Sequence, residues 1–209
     1  MAMLVRIFLL VTVSAFSARL VSAQGSTSVT IREPGIYHLA YLFKQADVVA
    51  LVKIVSGDTE SYDVPVYKGV VAKSLKGSAV GETVYFGPYL GERLGWDYVL
   101  FLRNVANPIA PKTSSNAGYG TIRYANVFNE GYSSMETSYE CVFDGQEIAQ
   151  KCDYGVRVCT DYIKLPKKTP TFPPAESGTP FGCRWVRTTL FISLLERLSE
   201  PKKVATVTK

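Results

Sequence analysis

Between Asp47 and Arg103 the chain alternates apolar and polar residues, stops repeatedly at glycine, and shows no helical period between the stops. "DVVALVKIV" is nearly continuous in apolar character and rich in Val and Ile, the pattern of a strand buried on both faces. From Tyr62 to Leu75 the pattern alternates, with Tyr67, Val71 and Leu75 on one face and Val66 and Val70 on the other. Gly69 falls mid-strand, where a barrel wall must bend or bulge. Lys76-Gly77 ends that strand, "SAVGE" turns, "TVYFGPYL" returns, and "GERLGW" turns again into "DYVLFLR". Strands this close together, with no helices between them, exclude a parallel sheet and point to an antiparallel meander or barrel.

The flanks read differently. "YHLAYLFKQAD" has apolar positions at helical spacing, which predicts a short helix over residues 37–46. After Asn104 the chain is rich in Pro, Ser and Asn through Gly120, a long surface loop. Further strands are predicted at "TIRYANVF", "SYECVFDG" and "YGVRVCTDYIKL". "PKKTPTFPPAESGTPFG" has too many prolines for regular structure and should be an extended loop. In "RWVRTTLFISLLERLSE", Val186, Leu190, Leu194 and Leu198 recur every fourth residue, predicting a terminal helix packed on the barrel. Residues 200–209 form a basic tail.

At the N-terminus, Arg6, the apolar run from Ile7 to Phe16 and Val21-Ser22-Ala23 follow the grammar of a secretory signal peptide over residues 1–23. Cleavage is expected between Ala23 and Gln24, followed by a flexible arm over residues 24–36. The apolar run falls short of the roughly 20 residues that a membrane-crossing helix needs. The expected product is secreted or periplasmic, with no transmembrane segment, and losing Arg6 and Arg19 lowers its net charge from +5 to +3.

The four cysteines, Cys141, Cys152, Cys159 and Cys183, sit in the C-terminal half, and an even number behind a leader predicts two disulfides. Their spacings of eleven, seven and twenty-four lack the close pairs of a zinc site, so no metal is expected. Three pairings are possible. The Asp144-Gly145 turn signal favours Cys141 with Cys152, which leaves Cys159 for Cys183.

Ala46-Asp47 entering the first strand, Val71 with Leu75-Lys76-Gly77 ending the second, and Tyr98-Val99-Leu100-Phe101-Leu102 in the fourth give residues 37–103 a resemblance to a known family. They resemble the bacterial secreted relatives of the tissue inhibitors of metalloproteinases, the netrin-like family. The resemblance implies a mainly β fold, an OB-like five-stranded antiparallel barrel with a short N-terminal helix. A C-terminal helix and a disulfide-bonded C-terminal half complete a single domain over residues 37–199. Inhibition in that family uses an N-terminal cysteine to chelate the protease's zinc. Here the expected start is Gln24-Gly25-Ser26 and no cysteine precedes Cys141. The fold therefore carries over and the chelating wedge does not.

Direct signs of catalysis are few. His38 is the one histidine, so a triad would have to use that ring. "GSAVG" is not a nucleophile turn. The acidic groups Asp58, Glu60 and Asp63, and Glu140, Asp144, Glu147 and Asp153, lie in turn-like solvated surroundings. No catalytic residue and no cofactor is expected. Tyr85, Phe86, Tyr89 and Trp96 cluster with Arg93, as in a single-strand-binding barrel, but export and modest charge weigh against nucleic acid. The expectation is a non-catalytic binding module for an extracellular protein or glycan. Tyr89, Arg93, Trp96 and Tyr119 are its candidate contact residues, and loops 105–120 and 165–182 its candidate contact surfaces. The alternative is an extracellular protease inhibitor or regulator acting through a loop.

Overall fold

A computed structural model describes residues 35–58, 60, 62, 64–87, 92–112, 120–128, 133–143, 149–172 and 182–200, with residues 140–143 and 149–151 described by backbone alone. The leader with Ala23 and Gln24, the arm up to residue 34, the Asp144-Gly145 turn and the tail from residue 201 lie outside the described residues.

Five strands close the barrel: β2 (Val48–Asp58), β3 (Val66–Lys76), β4 (Thr83–Phe86), β5 (Asp97–Ile109) and β6 (Ile122–Asn126). Around the barrel the order is β2-β3-β4-β6-β5, with β5 returning to β2. This is the OB-like arrangement. Its seam differs from the expected all-antiparallel ladder, because β4 and β6 run parallel at Phe86 and Tyr124. Alternation along β2 and β5 fills two cores at once. Val48, Ala50, Val52 and Ile54 face the barrel interior with Tyr98, Leu100 and Leu102. Val49, Val99 and Phe101 face outward into a second core. The first strand is thus buried on both faces because it is a wall between two cores.

The second core is roofed by two helices, α1 (Leu39–Gln45) and α2 (Thr188–Ser199), and by a sheet extension. Leu39, Leu42 and Phe43 of α1 meet Phe191, Ile192, Leu194 and Leu195 of α2 there. The extension consists of β7 (Ser134–Phe143), β8 (Ala149–Cys159) and β10 (Cys183–Arg187). β7 pairs with the first half of β5, β8 with β7, and β10 with β8. The short strands β1 (Tyr37–His38) and β9 (Ile163–Lys164) pair in parallel beside it.

Three expectations are corrected. Residues 184–187, read as the start of the last helix, belong to strand β10 (Cys183–Arg187), and α2 begins at Thr188. His38, read as part of the first helix, lies in β1 at the exposed cap before α1. The loop after Asn104 starts later, because β5 continues to Ile109. Arg103 to Ile109 lies away from the cores, and the ladder to β6 is interrupted between Asn104 and Ile109, so Pro108 forfeits no bond there.

Local joints hold barrel and helices together. The Lys76 ammonium donates to the carbonyls of Phe43 at 3.1 Å, Lys44 at 3.3 Å and Ala46, covering acceptors that the end of α1 leaves free. Gly77 follows at φ +67°, where a Cβ would strike the Asp47 carbonyl oxygen. Asp47 in turn donates its N–H to Leu102 O at 2.7 Å and accepts from Asn104 N–H through its carboxylate at 2.7 Å. Cys159 and Cys183 form a disulfide across β8 and β10. Cys152 is also disulfide-bonded, and the register sets Cys141 opposite it.

Candidate functional site

Of the four residues nominated for partner contact, the structure describes Arg93 and Trp96 and brings them together; Tyr89 and Tyr119 lie outside the described residues. The turn before β5 is clamped onto β2 by Gly95 N–H to Ile54 O at 2.7 Å and Ile54 N–H to Trp96 O at 2.9 Å. Within it the Arg93 guanidinium lies 4.8 Å from the Trp96 ring centroid. The same guanidinium approaches Glu136 of β7 at 4.0 Å, and Arg157 of β8 approaches Glu136 from the other side at 4.0 Å. Arg93 also donates its backbone N–H to the Tyr98 hydroxyl at 2.8 Å. The turn stays open to solvent all the same, with the Arg93 side chain largely exposed and Trp96 and Leu94 among the exposed hydrophobics. Arg93 and Trp96 tie the turn to the sheet.

Beneath that turn sits Glu92, 7% exposed, beside Asn126 of β6 and Ser134 of β7. Register explains the meeting: Asn126 stands opposite Leu102 and Ser134 opposite Leu100, so both project to the barrel-interior side of β5. Burial pushes the Glu92 carboxyl from its ordinary 4.5 to about 7, and Ser134, the residue's own backbone and Asn126 pull it only partly back. Among the described residues, none of the side-chain oxygens and nitrogens of Glu92, Asn126 and Ser134 completes a hydrogen bond of normal geometry. Tyr98, next to this cluster, is pushed up to about 12, chiefly by burial. A carboxyl enclosed in this way couples folding to pH.

An open concavity lies elsewhere, where loop 165–172 runs back along α2. One hollow of about 440 Å³ is lined by Pro170, Phe172, Arg187, Thr189, Leu190 and Ser193. The next, about 350 Å³, shares Pro170 and Leu190 and continues to Lys167, Lys168, Leu194 and Arg197. Both volumes fall within the roughly 300–1,000 Å³ of ligand clefts. The groove is held in shape from both ends. At one, Phe172 exchanges backbone hydrogen bonds with Trp185 of β10 at 2.8 and 2.9 Å. At the other, a turn is closed by Thr169 N–H to Pro166 O at 3.2 Å, with the Thr169 hydroxyl donating to the same carbonyl at 2.8 Å. That turn forces Lys168 to φ 67°, a left-handed conformation that a lysine adopts at a cost.

Charge in the groove is of one sign. Lys167, Lys168, Arg187 and Arg197 line it, and none of the described lining residues is acidic. Arg187 is engaged, lying 4.0 Å from Asp153 and 5.6 Å from the Phe172 ring centroid. Glu196 of α2 points the other way and pairs with Lys73 of β3 at 2.7 Å. The first half of the nominated loop 165–182 is therefore one wall of a concavity. Residues 113–119 and 173–181 lie outside the described residues. Leu190 and Leu194 are expected from the sequence on the helix face packed on the barrel and Arg197 is not singled out, since nothing local in the sequence shows that a loop folds back over them.

No group of His, Cys, Asp and Glu among the described residues could hold a metal ion. Asp58 accepts the Glu60 N–H in a local turn, and Asp153 lies beside Arg187. No helix among the described residues is long and apolar enough to cross a membrane. No protein-family model, curated protein or solved structure matches the chain.

Proposed function

We propose that this protein is a secreted or periplasmic, non-catalytic binding module that captures a protein or glycan partner in the groove between loop 165–172 and α2. The observation that carries the reading is the lysine-rimmed concavity, with no acidic side chain among its described lining residues and Lys168 held at φ 67° by a hydrogen-bonded turn. Strained backbone at a non-glycine residue persists where surrounding structure over-determines it, and such residues cluster at ligand clamps. The barrel, and the Cys159–Cys183 disulfide joining β8 to the strand that holds Phe172, supply a rigid mount, which lowers the ordering cost of binding. A netrin-like relationship accords with the OB-like strand order, although the groove lies outside the residues that carry that resemblance.

The test is capture from the native extracellular fraction by the oxidised protein starting at Gln24, in parallel with Lys167→Glu/Lys168→Glu. Both lysines are exposed, so the double variant should fold normally. A partner retained by the wild type and lost by the variant is the expected result. Equal capture by both would move the site elsewhere on the molecule. Dose-dependent inhibition of an extracellular metalloprotease would replace this reading with that of a protease regulator.

A further inference from the structure

We infer that the occupant of this groove is a short, extended, acidic peptide segment carrying apolar side chains; the inference rests on the binding reading above and names its partner class. The floor is aliphatic and aromatic: Pro170, Phe172, Leu190 and Leu194. The rim is cationic, with Lys167 and Lys168 on the loop side and Arg197 on the helix side. No ion pair engages those three cations among the described residues. Complementarity therefore asks for negative charge at the rim and hydrocarbon at the floor of one ligand.

Dimensions set the length. The α2 side of the groove runs from Leu190 to Leu198, about 12 Å at 1.5 Å per helical residue. An extended chain covers that in about four residues at 3.3–3.6 Å each. Alternate side chains of such a segment point to opposite sides, so apolar residues can enter the floor while acidic neighbours reach the rim. A glycan fits less well. The rim could meet a sulfated sugar, but the apolar floor of Pro170, Phe172, Leu190 and Leu194 would bury sugar hydroxyls without side-chain hydrogen-bond partners.

Fluorescence anisotropy with labelled peptides of repeating Asp-Leu, Ser-Leu and Lys-Leu, alongside a labelled heparin-derived oligosaccharide, tests this on the full oxidised protein. The Asp-Leu peptide should bind at least about tenfold more tightly than the Ser-Leu peptide, and salt should weaken it because the rim is exposed. Lys167→Glu/Lys168→Glu and, separately, Arg197→Glu should each reduce Asp-Leu binding by about tenfold or more. Two variants on opposite walls guard against one that disturbs its own element, and circular dichroism checks folding. Equal binding of the Asp-Leu and Ser-Leu peptides, or undiminished Asp-Leu binding by both variants, overturns the inference. Binding of the oligosaccharide but not of the Asp-Leu peptide, lost in the variants, overturns the peptide and leaves the binding module standing.

Discussion

Glu92→Gln should turn a pH-dependent fold into one less sensitive over the same range. The Glu92 carboxyl is buried and pushed from 4.5 to about 7, so the folded chain holds this proton more tightly than the unfolded chain does. Stability is then undiminished below pH 4.5, falls as pH rises, and carries the full penalty above about 7, where both states are ionised. That difference in pKa, at 1.36 kcal/mol per unit, corresponds to about 3 kcal/mol. Tyr98 does not confuse the window, since its pKa lies at about 12. Removing the ionisable group should leave a pH-independent offset for burying the amide beside Asn126 and Ser134, and remove the pH-dependent loss. Urea unfolding at several values between pH 4.5 and pH 8 measures both. The variant's stability relative to wild type should rise by about 3 kcal/mol between pH 4.5 and pH 8, or roughly 6–12 °C in thermal midpoint for a domain of this size. Parallel stability curves for the two proteins would refute the argument that burial controls this carboxyl.

Lys76→Met keeps the side-chain stem but removes the cation from the α1 carbonyls, and should cost about 1–3 kcal/mol, seen as a lower urea midpoint at unchanged slope. Gly69→Ala drives a Cβ into Val52 Cγ1 and should destabilise by about 1–3 kcal/mol; Val52→Ala in the same chain should relieve part of that, so that a double-mutant cycle is non-additive. Cys159→Ala/Cys183→Ala opens a closed loop of sequence separation 24 and should lower stability by about 3 kcal/mol in thermal unfolding; a midpoint equal to that of the oxidised wild type would show that this bond is not a structural bridge.

The barrel was legible because its strands are specified locally. A wall strand between two cores must read as continuously apolar, and "DVVALVKIV" does; Gly69, opposite Ile54, marks a close approach by the Val52 side chain of the neighbouring strand. What local pattern could not show is long-range pairing. The parallel seam between Phe86 and Tyr124 joins residues 38 positions apart, and no periodicity encodes its direction. Strand β10 was hidden differently. Val186 sits four residues before Leu190, so it continues the helical spacing of α2 although it pairs with Val156 in the sheet. Both elements bury their apolar residues in the same core, which is why one stripe runs through the strand and the helix. The groove was half legible. Lys167 and Lys168 stood out as a basic pair among prolines, but their partner wall is a helix face that becomes a wall only when residues 165–172 lie along it.

Most of the residues that carry the resemblance are joints. Ala46 and Asp47 couple the end of α1 to β2 and β5, Lys76 caps α1, Gly77 admits the Asp47 carbonyl, and Tyr98 to Leu102 form the wall shared by the two cores. Each is restricted by mechanics: a buried contact, a positive φ, a satisfied carbonyl. Such restrictions hold for any chain that mounts a helix on this barrel, whatever it binds, so they bear on architecture and leave function open. The groove residues face the opposite situation. Lys167, Lys168 and Arg197 are exposed and support no core, so their identity could change at little cost to stability. A one-signed rim at positions free to vary, together with a strained Lys168, is therefore where selection for a ligand can act, and it lies C-terminal to every strand of the barrel.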